Sequence, residues 1–259
     1  ICSGATSKML TSRFTSIRIL LAINILASIA FIPFINFSWL WVLVAILMYS
    51  CMNGLGIIVG NHRYWTHKSF EFKYSWIKYL CGIFSVISGT GSTIGWVGIH
   101  RNHHGKVDSI NDPHSPAYLN LFDMLFLRYK ISSNDLLRKC TDVGKNKFMK
   151  FTHKYWLPCI LIYIIGLSFI SFEALYFMFI IPSMVTMILQ AFTNYFCHKD
   201  IGYKNFVSDD NSKNIWWLAF LNFGEGWHNN HHCQPNKYTN KIKWWELDLA
   251  GNFISWVKQ

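Results

Sequence analysis

Residues 39–60, WLWVLVAILMYSCMNGLGIIVG, carry no charged side chain. Wound as a helix at about 1.5 Å per residue, such a run covers the roughly 30 Å hydrocarbon core of a bilayer. Three further runs read the same way: residues 17–35, with Arg18 at the entrance, 156–171 and 174–196. Pro33 lies in the first short connection and Glu173 in the second, so the four runs form two tight hairpins. The chain is 52% hydrophobic and 14% charged, where soluble chains carry about 25% charged residues. An all-α integral membrane fold with four transmembrane helices is predicted, and disorder, collagen and coiled coil are excluded. No cleavable signal peptide is recognisable. The chain begins at Ile1, so its natural start is expected elsewhere, with Met9 a candidate.

The charges add a direction. The net charge is +11, and Lys and Arg number 3 in residues 1–18, 14 in residues 61–155 and 7 in residues 197–259. The short connections at 33–38 and 171–174 hold none, so every cation lies on one side, which the positive-inside rule assigns to the cytoplasm. The basic excess therefore reads as topology and lipid-surface attraction, with no nucleic-acid partner. One domain, 1–259, is expected, with a cytosolic helical cap made of residues 61–155 and 197–259. Its place is a bacterial cytoplasmic membrane or the endoplasmic reticulum, with the active site on the cytoplasmic side. The seven Cys include no CxxC pair, which argues for reduced thiols over disulfides or a thiolate zinc site. Residues 76–98 are apolar enough for a fifth span. Histidine clusters flank that segment on both sides, so it is read as lying at the interface or under the cap.

Nine of the eleven His fall in four short stretches: His62 and His67 in HRYWTH; His100, His103 and His104 in HRNHH; His198 in NYFCH; and His228, His231 and His232 in GEGWHNNHH. On a helix, positions i, i+3 and i+4 share a face. HxxHH therefore aims three imidazoles at one point or at two adjacent points, and it occurs twice. His62 and His67 are about 500° apart on an ideal helix, or about 140° after one revolution. They are expected to serve different metals, or the helix to end between them. A lone His at a helix end is ordinarily an interfacial side chain; two HxxHH copies in one chain are not explained that way. Nine neutral imidazoles are too many for one ion, so two metals are implied, and imidazole suits Fe, Cu, Zn and Ni. Glu225, Asp108, Asp112 and Asp200 lie beside the clusters as supports, caps or surface charges.

These motifs resemble the membrane fatty-acid desaturase family, and closely its acyl-CoA delta-9 (stearoyl-CoA desaturase-like) branch. The resemblance runs from about residue 50 to 235 through HRYWTH, HRNHH followed by DPHSP, NYFCHKDIG and GEGWHNNHH. It implies two iron ions held by the nine His, with Asn194 holding one metal through water, and O2 as co-substrate. Two electrons come from a separate donor of ferredoxin or cytochrome b5 type, and two vicinal hydrogens leave a long acyl chain as a cis double bond forms, expected at the ninth carbon. The resemblance also places Trp96 near the acyl tunnel, and Gly54 and Ser50 at its closed end. Helix packing through small residues is the alternative role for that pair. Animal acyl-CoA desaturases carry Arg and Asp between this Trp and the next His, where they contact CoA. Here the segment is Val97-Gly98-Ile99, which leaves the carrier open among CoA, lipid and carrier protein. His114 is expected to be structural and His153 interfacial.

Two alternatives stand beside this reading. A hydroxylase could use the same metal core, because small changes around the metals switch the outcome. A non-catalytic membrane metal carrier needs ligands within the bilayer, whereas these His lie at or beyond the span ends.

Overall fold

The computed structural model describes residues 3–129 and 131–259, with side chains from Phe14 onward; the side chain of the candidate start Met9 lies outside the described residues. The described chain is helical apart from loops and a few isolated bridges. Helix α1 spans Ser3–Ala30 and stops short of the predicted end at 35, because Pro33 falls in a 3-10 turn over Ile32–Phe34. Helix α2 runs Trp39–Thr66, its start capped by Ser38, and is wound as an α-helix to Tyr49 and as a π-helix over Ser50–Thr66. Next come α3 (Ile77–Ile87), α4 (Thr93–His104), α5 (Leu121–Leu125) and α6 (Ser133–Arg138). Helix α7 (Lys147–Lys154) bends by 75° into α8 (Trp156–Ile170). Helix α9 spans Phe172–Phe196. The chain ends with α10 (Trp216–Leu221), α11 (His228–Cys233) and α12 (Leu249–Val257).

Among the described residues, α2 and α9 are long and apolar enough to cross a membrane, and α7 with α8 make a third candidate if the bent pair counts as one span. The first predicted run appears as the shorter apolar stretch Phe14–Ala30. Helix α8 alone has 15 residues, about 22 Å of rise. Residues 76–98 do not form one helix. Gly89 and Gly91 take φ values of +85° and +103°, in the left-handed region, and turn the chain between α3 and α4. The flanking histidine clusters consequently lie together.

Small residues let α3 lie close along α2. A Cβ on Gly56 would stand 2.5 Å from Ser85 N and 2.7 Å from Phe84 C, and one on Gly60 would stand 2.7 Å from Cys81 Cβ. The two hairpin connections meet: Asn36 donates its backbone N–H and its side-chain amide to Glu173 Oε1, at 3.3 and 3.0 Å. Arg18 ties α1 to the loop after α5, with Nε donating to Phe126 O and Nη2 to Leu127 O, at 2.7 and 2.9 Å. Fully buried Leu21, Met52 and Ile160 sit at the centre of the helix bundle. The six described cysteines are free.

Candidate metal centre

All nine clustered histidines converge, and they do so as two sets. His62, His67, His100, His104 and His231 form one, and His103, His198, His228 and His232 the other; within each set the ligand atoms lie within 4.8 Å of one another. Each HxxHH splits in the same way. From α4, His100 and His104 enter the first set and His103 the second. From α11, His228 and His232 enter the second set and His231 the first. Residues i and i+4 lie side by side on a helix, while i+3 points to the flank. One such helix can therefore serve two neighbouring points.

His62 and His67 share a set, and of the two expectations it is the helix ending between them that holds, not different metals. The reason is the π winding of α2. His67 N–H donates to His62 O at 3.1 Å, an i to i+5 bond that puts residues five apart one turn apart. The regular helix ends at Thr66, so His67 follows immediately as its cap.

The ring nitrogens have two distinct surroundings. Facing inward, Nε2 atoms pair closely: His62 with His231 at 3.0 Å, His231 with His104 at 3.0 Å, His104 with His100 at 3.1 Å and His198 with His228 at 3.1 Å. Facing outward, Nδ1 atoms donate to carboxylates: His62 to Glu225 at 2.6 Å, His103 to Asp112 at 2.9 Å, His198 to Asp108 at 3.3 Å and His232 to Asp210 at 2.9 Å. A neutral imidazole that donates through Nδ1 presents a bare lone pair at Nε2. Two imidazole nitrogens about 3 Å apart share either a proton or a cation. Ligands about 2.1 Å from a metal and at right angles to each other stand about 3.0 Å apart. His67, His103 and His232 leave buried Nε2 atoms with no hydrogen-bond partner, which a buried polar group ordinarily has. The donor set thus fits two imidazole-bound metal ions.

Electrostatics keep the rings ready to bind. Burial first, and neighbouring rings second, hold His100, His103, His228 and His231 well below the usual histidine value, and burial brings His104 down to about 3. Unfolded histidines protonate near 6.5, so below about 6.5 the unfolded chain takes up protons that the folded one does not, and stability falls. Metal-stripped protein is expected to lose thermal stability from about pH 6.5 down to about 4, with no loss from these groups on going up to about pH 9. Melting curves in detergent check this, and a profile flat across the acidic range contradicts it.

Of the four expected supports, Glu225, Asp108 and Asp112 orient rings, whereas Asp200 is a surface charge paired with Lys213 at 2.9 Å. Sequence reasoning missed Asp210, which stands 22 positions before the ring it holds. Replacing Asp210 with Asn should lower metal affinity or turnover about 10–100-fold, the usual cost of losing such a partner. Metal titration of the purified variant gives the answer. Asn214, Asn229 and Asn230 were missed as well. Asn214 Oδ1 accepts from the backbone N–H of Asn229 and Asn230, and Asn229 Oδ1 from those of Asn205 and Phe206, which fixes the start of α11.

Three adjoining cavities, of about 60, 60 and 20 Å3, lead to the rings, and Trp96 lines all of them. Its ring centroid is 4.8 Å from His100 and 5.8 Å from His62. Asn194 lines the two inner cavities and shares a hydrogen bond with Tyr129. Gly54 and Ser50 line none of the three. A Cβ on Gly54 would face the Phe223 ring at 3.6 Å, and the Ser50 hydroxyl donates to Ile46 O at 2.8 Å. From α2, Ile57, Ile58 and His62 line the inner cavity. His114 is buried, stacks on His103 at 4.2 Å between ring centroids, and lines the middle cavity. His153 Nδ1 lies 2.6 Å from Ser92 Oγ, at the outer cavity.

Comparison with known proteins gives a consistent picture. A family model described as fatty acid desaturase matches residues 36–255. An sn-1 stearoyl-lipid 9-desaturase from Anabaena variabilis is 35% identical over 238 residues, covering 89% of this chain and 85% of that protein. The sn-1 stearoyl-lipid 9-desaturase of Synechocystis sp. is 33% identical, covering 96% and 78%. Delta-9 acyl-lipid desaturase 2 of Arabidopsis thaliana is 32% identical, covering 86% and 73%. These relatives are named for acyl lipids, which gives no support to the acyl-CoA branch. Val97 is fully buried and Gly98 packs on Leu136, so that segment offers no charge to a nucleotide.

Proposed function

The chain belongs to the fatty acid desaturase family, and from that premise we propose that it forms a cis double bond at the ninth carbon of a saturated acyl chain carried on a membrane lipid. It is a fatty acyl desaturase, an oxidoreductase of lipid metabolism. The ninth carbon and the lipid carrier rest on the names of the relatives. The observation that carries the reading is the convergence of nine imidazoles into two adjacent sets beside an apolar cavity.

The nine histidines are the ligands in this proposal, with Asn194 acting through water and Trp96 bounding the acyl site. A bound iron pair supplies the oxidant, made from O2 and two electrons from a separate donor of ferredoxin or cytochrome b5 type, that removes hydrogen from an unactivated methylene. The carboxylates fix the tautomer and aim of His62, His103, His198 and His232, so those Nε2 atoms are in position before the metals arrive. The apolar walls of the cavities hold the acyl chain in one register, so one pair of carbons faces the rings.

The same proposal places all of 1–259 in one domain that crosses the membrane four times, with α1 and α8 completing the set begun by α2 and α9. The joined hairpin tips at Asn36 and Glu173 support it, as does the absence of Lys and Arg from both connections. The rings and the loops that carry the cations then face the cytoplasm. Expression in a host lacking its own desaturase, with mass spectrometry of the membrane fatty acids, is the test. A new monounsaturated chain with its bond at the ninth carbon is expected. A hydroxylated chain, or an unchanged profile from an iron-loaded protein, overturns the reading.

A further inference from the structure

We propose that the acyl chain of a membrane lipid enters the metal centre sideways from the bilayer, through a mouth between α1, α6 and the bend that joins α7 to α8. The proposal rests on the desaturase reading and adds the route by which the substrate arrives. The three cavities form a series. The outer and middle ones share Ile17, Ile99 and Leu127, and the middle and inner ones share His100, Gln190 and Asn194. The series begins at Leu137 on α6, which is 40% exposed, and ends at buried His62 and His228.

The surroundings of that outer end identify the medium. Trp156, the first residue of α8, forms one wall, and Phe14 and Ile17 of α1 form another. Further along, both helices turn bare apolar side chains outward. On α1 these are Ile19 and Ile23, each 54% exposed, and on α8 Leu161 at 46% and Ile162 at 71%. Such faces belong against hydrocarbon. Helix α7, bent 75° away from α8, instead exposes Lys147, Lys150 and Lys154 together with Phe151 and Tyr155. Cations with aromatics on the outward face of a short amphipathic helix suit the headgroup level. The mouth therefore sits where headgroups give way to acyl chains. An acyl tail already in the leaflet reaches it without leaving the apolar phase, so no large transfer cost opposes entry.

Trp96 lines all three cavities and stands where they adjoin.

The test uses the iron-loaded full chain in nanodiscs, with an electron donor system. One disc population contains phosphatidylcholine with stearoyl chains. The other contains unsaturated lipid and receives stearoyl-CoA. Unsaturated product is expected from the lipid-borne chains. Leu137→Trp, at the mouth, should slow that turnover at least about tenfold by filling the entrance while iron content stays at the wild-type level. Leu161→Trp, on the lipid face of α8, should not. A phosphatidylcholine carrying a diazirine on its stearoyl chain provides a readout independent of chemistry. Photolysis should attach it to cavity residues such as Leu127 in the wild type and not in Leu137→Trp. Cavity crosslinks without any product would uphold the portal and reject the desaturase reading. Product from stearoyl-CoA alone, or lipid turnover and crosslinking unaffected by Leu137→Trp, would overturn the portal.

Discussion

Replacing His231 with Ala should abolish desaturation and reduce bound iron from the two ions proposed per chain to about one. His231 is the ring through which the first set holds together: its Nε2 is 3.0 Å from that of His62 and 3.0 Å from that of His104. It also arrives on α11, whereas the other four rings of its set come from α2 and α4. Its loss therefore opens one side of the set, and no other α11 ring turns that way. The second set keeps all four of its histidines, so one ion should remain. His103→Ala is the mirror experiment and should empty the second set instead. His153→Ala, outside both sets, should keep its iron. Iron per chain and single-turnover product formation measure both effects. A His231→Ala protein with two irons and full turnover would refute the assignment.

The histidines were legible because ligand spacing is a local property. HxxHH shows its face in the sequence whatever the rest of the chain does, and the families of apolar runs and cations were equally local. What the sequence concealed depends on winding and on distant partners. The π turns of α2, which bring His62 and His67 to one point, are invisible to an argument that assumes 3.6 residues per turn. Asp210 could not be matched to His232, because the loop that returns it to the ring has no periodicity to read. Gly54 and Ser50 were placed at the tunnel end by resemblance alone, and the inner cavity meets α2 at Ile57, Ile58 and His62. Residues 76–98 are apolar enough for a span, but the histidine clusters on both sides already argued against a crossing, and the structure agrees. The two positive-φ glycines, Gly89 and Gly91, decide that segment.

Arg63→Met should destabilise the protein by about 3–5 kcal/mol, the usual consequence of removing one partner from a buried charge network. The Arg63 side chain is 2% exposed, and its guanidinium holds two carboxylates. Nη2 and Nε donate to Glu225 Oε1 at 2.8 and 3.2 Å, and Nη1 donates to Asp248 Oδ2 at 2.9 Å and to Tyr238 O at 2.8 Å. Glu225 in turn accepts from His62 Nδ1. Burial alone would raise the Glu225 carboxyl, but His62 and Arg63 outweigh it and hold it at about 2. Methionine fills much of the space and removes the charge. Asp248 would keep the N–H groups of Asn240 and Gly251, but Glu225 would lose its cation and rise toward protonation. A protonated Glu225 no longer draws the Nδ1 proton of His62, so the ring loses the tautomer that presents Nε2 to a metal. Stability and iron affinity should therefore fall together, and more steeply at lower pH. Arg63→Lys, which keeps the charge without the planar fork, should lie between. Thermal unfolding in detergent and iron titration at two pH values separate this from simple loss of packing, since a packing defect would lower the melting temperature without making iron affinity more sensitive to pH. An Arg63→Met protein that melts like the wild type and keeps its iron would show that the network does not support the metal centre.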